Sequence, residues 1–153
     1  MRIEEKIVRL GLQLEDPVTP MANYVPALMT PPFVFTSGAT CMQAGKPKYL
    51  GKVGQEISIE QGYEAAQITV LNLLSKSKAV IKDLDKIERV VRLTGYINCS
   101  PDFTRQSRVM DGASDLLVEL FGDSGRHVRT ALGVCSLPLN LPLEIEMVAR
   151  MTT

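Results

Sequence analysis

The runs Val128-Arg129-Thr130-Ala131-Leu132-Gly133-Val134-Cys135 and Leu143-Glu144-Ile145-Glu146-Met147-Val148-Ala149-Arg150 decide the reading of this chain. They flank Ser136-Leu137-Pro138-Leu139-Asn140-Leu141-Pro142, a turn rich in proline. Each run reads as β-like by its period of two. In the first, Val128, Thr130, Leu132 and Val134 share one face, and Arg129, Ala131, Gly133 and Cys135 share the other. That second face carries one long cation among small residues, so there is room in front of the guanidinium. In the second run, Leu143, Ile145, Met147 and Ala149 form an apolar face, with Glu144 and Glu146 on the opposite side. An arginine with space around it and a nearby carboxylate is the best candidate site in the sequence.

The totals narrow the function classes. A chain of 153 residues is long enough for one domain with a real core. Seventeen basic and seventeen acidic residues cancel, and no stretch is dense in Lys and Arg. That balance argues against an extended nucleic-acid footprint. No apolar stretch approaches a membrane span, and Met1-Arg2-Ile3-Glu4-Glu5-Lys6 lacks the apolar core of a signal peptide. A cytoplasmic protein is expected, without membrane or nucleic-acid partners. Cys41, Cys99 and Cys135 are scattered and His127 is the only histidine, so a Cys/His metal site is not expected. The three cysteines read as reduced thiols in core or strand.

The rest of the chain supplies the elements. Residues 1–8 read as a short amphipathic helix, and Leu10-Gly11-Leu12-Gln13-Leu14 as a possible strand. Tyr24 to Thr30 reads as an edge strand, Pro31-Pro32 as a turn and Phe33-Val34-Phe35-Thr36 as a second strand ending at Ser37-Gly38. Residues 42–57 read as a mobile surface loop. Ser58-Ile59-Glu60-Gln61 is a capping-box pattern opening a helix to about Lys82. Tyr63, Ala66, Val70, Leu74 and Ile81 mark its buried stripe, and Lys76, Lys78 and Lys82 read as solvated charge near its C-terminal end. Val90 to Ile97 is a strand. Ser100-Pro101-Asp102 predicts the start of another helix, with Ser100 as its cap. Gly112 inside that helix should weaken it by about 1 kcal/mol relative to alanine.

Two amphipathic helices on one side of a mixed four- to six-stranded sheet make an α+β sandwich. The face carrying Arg129, Glu144 and Glu146 is too specific for plain solvent-facing sheet. Packing against another copy would bury it, which predicts a symmetric oligomer.

At this point the residues resemble a known family. Val128-Arg129-Thr130-Ala131-Leu132-Gly133-Val134, Leu137-Pro138 and Leu143-Glu144-Ile145-Glu146 resemble the reactive-intermediate deaminases of RidA/YjgF type. Tyr24-Val25 with Phe35-Thr36-Ser37-Gly38 looks like the family's N-terminal strands. Ala66-Gln67 with Asn72-Leu73 looks like its first helix, and Val90 to Ile97 with Asp102-Phe103 like its middle strand and second helix start. The resemblance covers roughly residues 20–152. It implies one RidA/YjgF-like domain over 1–153, with 1–19 as an N-terminal extension. It also implies a chorismate-mutase-like α+β fold, two helices on one sheet face, and a homotrimer with sites in the clefts between subunits.

The resemblance further implies hydrolysis of reactive 2-imino or enamino acids to 2-oxo acids and ammonia. The family arginine falls on Arg129 and the family glutamate on Glu144. An arginine fork can hold a substrate carboxylate bidentately, and a glutamate can orient water or shuttle a proton. Tyr24, Ser37, Gly38, Ser107 and Ala131 are the expected substrate contacts. Glu146 is expected to be scaffold. No cofactor or metal is expected. The chain departs from the family where His127-Val128 replaces a usual proline and alanine, and where Ala131 replaces a frequent cysteine. A substrate-side asparagine falls on Ser107 in an ungapped match. A different reading is a non-catalytic trimer that binds small carboxylates or 2-oxo acids. A ribonuclease reading follows only from older family names, and the neutral charge and single histidine count against it. Chorismate mutase activity would rest on fold analogy alone.

Overall fold

Ser58 sets the longest element. In the computed structural model, which describes residues 2–152, its hydroxyl accepts from the Gln61 amide at 3.1 Å. The Gln61 side chain accepts from the Ser58 amide at 2.9 Å. This reciprocal box satisfies two otherwise orphaned donors and starts α2, Ile59–Ile81. The helix stops where Lys82 turns left-handed at φ 72°. Its buried surface is wider than one stripe. Ala65, Ala66, Val70, Leu73 and Leu74 are all sealed, because α2 meets the sheet on one side and α3 (Gln106–Phe121) on another. Tyr63 is only half-buried.

Gly112 explains that second contact. A Cβ there would overlap the Tyr63 backbone carbonyl, so the glycine permits close approach of α3 to α2. Its weak helix propensity is the local cost of helix packing.

A five-stranded sheet lies under the two helices, in the order β1 (Ala27–Thr30), β2 (Phe33–Thr36), β7 (Leu143–Met151), β5 (Ile87–Asn98), β6 (Val128–Val134). Only β5 and β6 run parallel, joined through α3; the other pairs are antiparallel. Pairing aligns Leu93 with Met147, Gly95 with Ile145 and Ile97 with Leu143. Five of these six face the helices as fully or almost fully buried apolar side chains. Each such burial is worth roughly 1.5–3 kcal/mol relative to exposure. The opposite face carries Arg92, Thr94 and Tyr96, with Glu144, Glu146 and Val148 beside them.

Three local expectations change. Leu10–Leu14 is irregular chain after α1 (Ile3–Arg9), not a strand; Leu12 and Leu14 instead pack against the core edge. Residues 42–57 contain a hairpin, β3 (Met42–Gln43) with β4 (Lys46–Pro47), and bury Val53 and Ile57. The Val53 amide donates to the Asn98 carbonyl at 2.8 Å, which ties the segment to β5. Finally, Ser100 does not cap α3. Its hydroxyl donates to the Asp102 carboxylate at 2.6 Å within a turn, and the helix begins at Gln106 after Arg105. Of the thiols, Cys41 and Cys99 are buried and Cys135 is exposed, all free.

The N-terminal helix is fastened rather than trailing. Ile3 and Ile7 enter the core, and Arg2 bonds Asp83 at 3.0 Å and Asp85 at 3.1 Å. Among the described residues no helix is long and apolar enough to cross a membrane.

Candidate functional site

Strand register decides which candidate residues meet. Arg129 pairs with Leu93 across β5–β6, whereas Glu144 pairs with Tyr96 across β5–β7. Leu93 and Tyr96 are three residues apart and so project to opposite sides. Within one chain, Arg129 therefore lies on the helix side and Glu144 on the open side. The expectation that both share one uncovered face is corrected. Parity within each strand was sound, but only pairing relates the faces of separate strands.

Around Arg129 the site is built from β6 and α3. One guanidinium nitrogen, Nη1, donates to Asp111 Oδ1 at 3.1 Å and to Ser114 Oγ at 3.0 Å. Nη2 reaches the Ser107 carbonyl at 3.4 Å. Asp111 and Ser114 stand one turn apart on α3, facing the edge strand. Among the described residues Nε has no hydrogen-bond partner, and the Arg129 side chain is 22% exposed. Ala131 and Gly133 continue the same face of β6 as the expected small residues. Ser107 is close by, but its contact with Arg129 is through its backbone carbonyl. Gln106 approaches Gly133 and donates to the Phe103 carbonyl at 2.8 Å.

His127 completes a directed chain of hydrogen bonds. Its Nδ1 lies 2.6 Å from the Gly125 carbonyl, which can only accept, so Nδ1 carries the proton. Nε2, 3.0 Å from Ser114 Oγ, is then left to accept from that hydroxyl, and the hydroxyl oxygen accepts from Arg129. Burial pulls the His127 pKa below its ordinary value; the Gly125 contact opposes this and the Arg129 charge adds to it. The histidine is thus a neutral brace for the arginine.

The second group gathers at the end of β2 and the start of β7. Gly38 sits against Glu144 so closely that a Cβ at 38 would overlap the carboxylate. Ala39 and Ile145 exchange backbone bonds of 2.8 and 2.9 Å, locking that approach. Ser37 donates its hydroxyl to the Val25 carbonyl at 2.6 Å, so it braces the turn. Tyr24 lies before β1, 57% exposed, and borders a cavity of about 340 Å³ that also touches Gly38. Glu146 stands on the open face opposite Thr94.

Lys76 belongs to this group and was missed by the reading of solvated charge. It is half-buried, and its ammonium donates to the Gly38 carbonyl at 2.6 Å. Burial lowers its pKa, and the nearby Glu144 charge partly opposes that. Its flanking neighbours Ser75 and Ser77 are buried, but a lysine near a helix C-terminus carries no local signal that it turns inward.

The comparisons with known proteins agree with this architecture. A family model described as "YjgF/chorismate_mutase-like, putative endoribonuclease" matches residues 4–151. Protein TCP17 of Trypanosoma cruzi is 35% identical over 146 residues, covering 95% of this chain and 91% of that protein. The crystal structure of Atu1372 from Agrobacterium tumefaciens, a protein described as of unknown function, has a TM-score of 0.92 at 35% identity. The match covers 98% of this chain and 92% of that one. A structure described as a putative endoribonuclease from Shewanella oneidensis MR-1 has a TM-score of 0.95 at 30% identity, covering 99% and 100%. With the mixed sheet, the helix pair and a match over nearly its whole length, the chain belongs to the YjgF/chorismate-mutase-like family.

Proposed function

We propose that this protein is a cytoplasmic hydrolase of reactive 2-imino and enamino acids, acting as one domain over 1–153 in a homotrimer. The observation that carries the reading is the Arg129 fork. Asp111, Ser114 and the Ser107 carbonyl hold it from one side, while its Nε edge has no partner among the described residues. A 2-imino acid presents a carboxylate that fits such an edge bidentately. Arg129 and Glu144 project from opposite sides of one sheet, so the catalytic pair would come from two subunits. Arg129 of one copy would face Glu144 and Gly38 of the next. Leu28, Phe35, Val128 and Leu132 are 58%, 41%, 58% and 49% exposed on the open sheet face. Such an apolar surface favours cover by further copies.

The chemistry follows from the residue types. Arg129 holds the carboxylate and thereby places the C=N carbon. Glu144 takes a proton from water as its oxygen bonds to that carbon, giving a carbinolamine. The proton then passes to nitrogen. Glu144 then moves the hydroxyl proton of the carbinolamine to the nitrogen, the C–N bond breaks as the oxygen closes to a carbonyl, and the products are a 2-oxo acid and ammonia. No cofactor or metal is called for. Tyr24 would wall the pocket, and Ala131 would leave space beside the guanidinium.

A second reading is a trimer that binds 2-oxo acids without turnover. The existing Arg129–Asp111 ion pair favours it, since a ligand carboxylate has to share that cation. Coupling the protein to an amino-acid dehydratase separates the two. The hydrolase reading expects faster 2-oxo acid release with wild type and none of that gain with Arg129→Ala or Glu144→Gln. Binding of 2-oxo acids without acceleration of release would leave only the second reading. Sedimentation equilibrium should give three times the 16.8 kDa chain mass.

A further inference from the structure

Lys76 is a half-buried cation that has Glu144 nearby but makes no direct ion pair among the described residues. Its one hydrogen bond among the described residues is to the Gly38 carbonyl. An ammonium has three N–H donors, so two remain uncommitted. A half-buried charge with unsatisfied donors is costly unless something pairs with it.

The surroundings define what could. Lys76 lines the cavity of about 340 Å³ that touches Gly38, and Met42, Pro17, Val18, Leu139 and Leu141 give it apolar walls. Two of its other polar side chains are engaged with backbone, while Tyr24, Thr40 and Gln43 also line it. Asn72 donates to the carbonyls of Thr40 and Met42, both at 2.8 Å, and Ser75 donates to the Glu15 carbonyl. Glu15 and Asp16 also line the cavity, but neither pairs with Lys76. The cavity therefore offers apolar walls and a hydrogen-bond donor with spare capacity, next to the glycine over which Glu144 lies.

We propose that this cavity is a side-chain subsite, in which Lys76 receives a carbonyl-type acceptor at the far end of an extended substrate. The substrate class is then 2-imino and 2-oxo acids whose side chain ends in a carboxylate or carboxamide. The subsite itself lies within one chain. Its pairing with an α-carboxylate on Arg129 rests on the reading given under Proposed function.

Calorimetric titration of the native full-length protein tests it with three probes of similar reach: 2-oxoglutarate, its 5-carboxamide 2-oxoglutaramate, and 2-oxohexanoate. At least one of the two acceptor-bearing probes should bind tenfold or more tightly than 2-oxohexanoate. Lys76→Met should bring that ratio to near one, and Lys76→Arg should retain most of it. A preference for 2-oxoglutarate that shrinks with added salt assigns a carboxylate; a salt-independent preference for the amide assigns a carboxamide. Equal affinity for all three probes in wild type overturns the proposal, as does a preference that Lys76→Met leaves intact. Should Lys76→Met fail to fold, Lys76→Gln takes its place, and the wild-type ratio alone still decides. Turnover of short-chain imines with no preference among the probes would sink this subsite and leave the hydrolase reading standing. A Lys76-dependent preference without imine turnover would do the reverse.

Discussion

The carboxylate of Glu144 occupies the space that a side chain at Gly38 would fill. The glycine is therefore part of the glutamate's position. A methyl group there meets the mobile end of a partly exposed side chain, not backbone. Gly38→Ala should consequently change folding stability by no more than about 1 kcal/mol, because Glu144 can swing away. Imine hydrolysis should fall at least as far as in Glu144→Gln. Urea unfolding beside the coupled dehydratase assay checks both halves; a stable variant with wild-type turnover would remove Glu144 from the chemistry.

Ser114 holds Arg129 from behind. Ser114→Ala removes one acceptor of Nη1 and the donor to His127 together. Net hydrogen bonds of this kind are worth about 1 kcal/mol, so carboxylate ligands should bind roughly five- to tenfold more weakly. Titration with 2-oxobutanoate measures the change. Arg129→Lys should lose more, since a point charge cannot reproduce the fork.

The His127 brace works only when the ring is neutral. Its folded pKa lies below the ordinary 6.5 because burial disfavours the charged form. The unfolded chain thus takes up a proton before the folded one does. Stability from this group is complete above about pH 6.5 and declines as the pH falls from there toward the folded value. Protonation would also turn Nε2 into a donor toward a hydroxyl already receiving Arg129. Between pH 7.5 and 5.5 the fall in unfolding free energy should be smaller in His127→Gln than in wild type.

Gly112 presents the opposite case to Gly38. An added methyl meets the Tyr63 backbone carbonyl, which no side-chain rotation can relieve. Gly112→Ala should destabilise by about 1–3 kcal/mol through overpacking, even though alanine is the better helix former. A chemical denaturation curve decides it; a stabilised variant would show that the α2–α3 contact is loose.

Much of the local structure was legible from short-range chemistry. The Ser58–Gln61 box, the φ-restricting prolines and the alternation in β2, β5, β6 and β7 act within a few residues. They are therefore visible in the order of residues. The start of α3 was misplaced because Ser100-Pro101-Asp102 has helix-opening chemistry but folds as a turn, with Ser100 bonded to Asp102.

The residue types of the candidate site, an arginine among small neighbours and a glutamate on an alternating strand, were determined by the sequence itself. Their relation was not. Arg129 and Glu144 stand on opposite sides of the sheet because β6 and β7 flank β5 on different edges, in registers set by long-range hydrogen bonding. Lys76 turns inward because Gly38, thirty-eight residues away, presents a carbonyl within reach. Asp111 and Ser114 brace Arg129 because α3 crosses between the two parallel strands. Side-chain periodicity is a local property of the backbone, whereas the partner each face meets depends on contacts that close only when the whole chain folds.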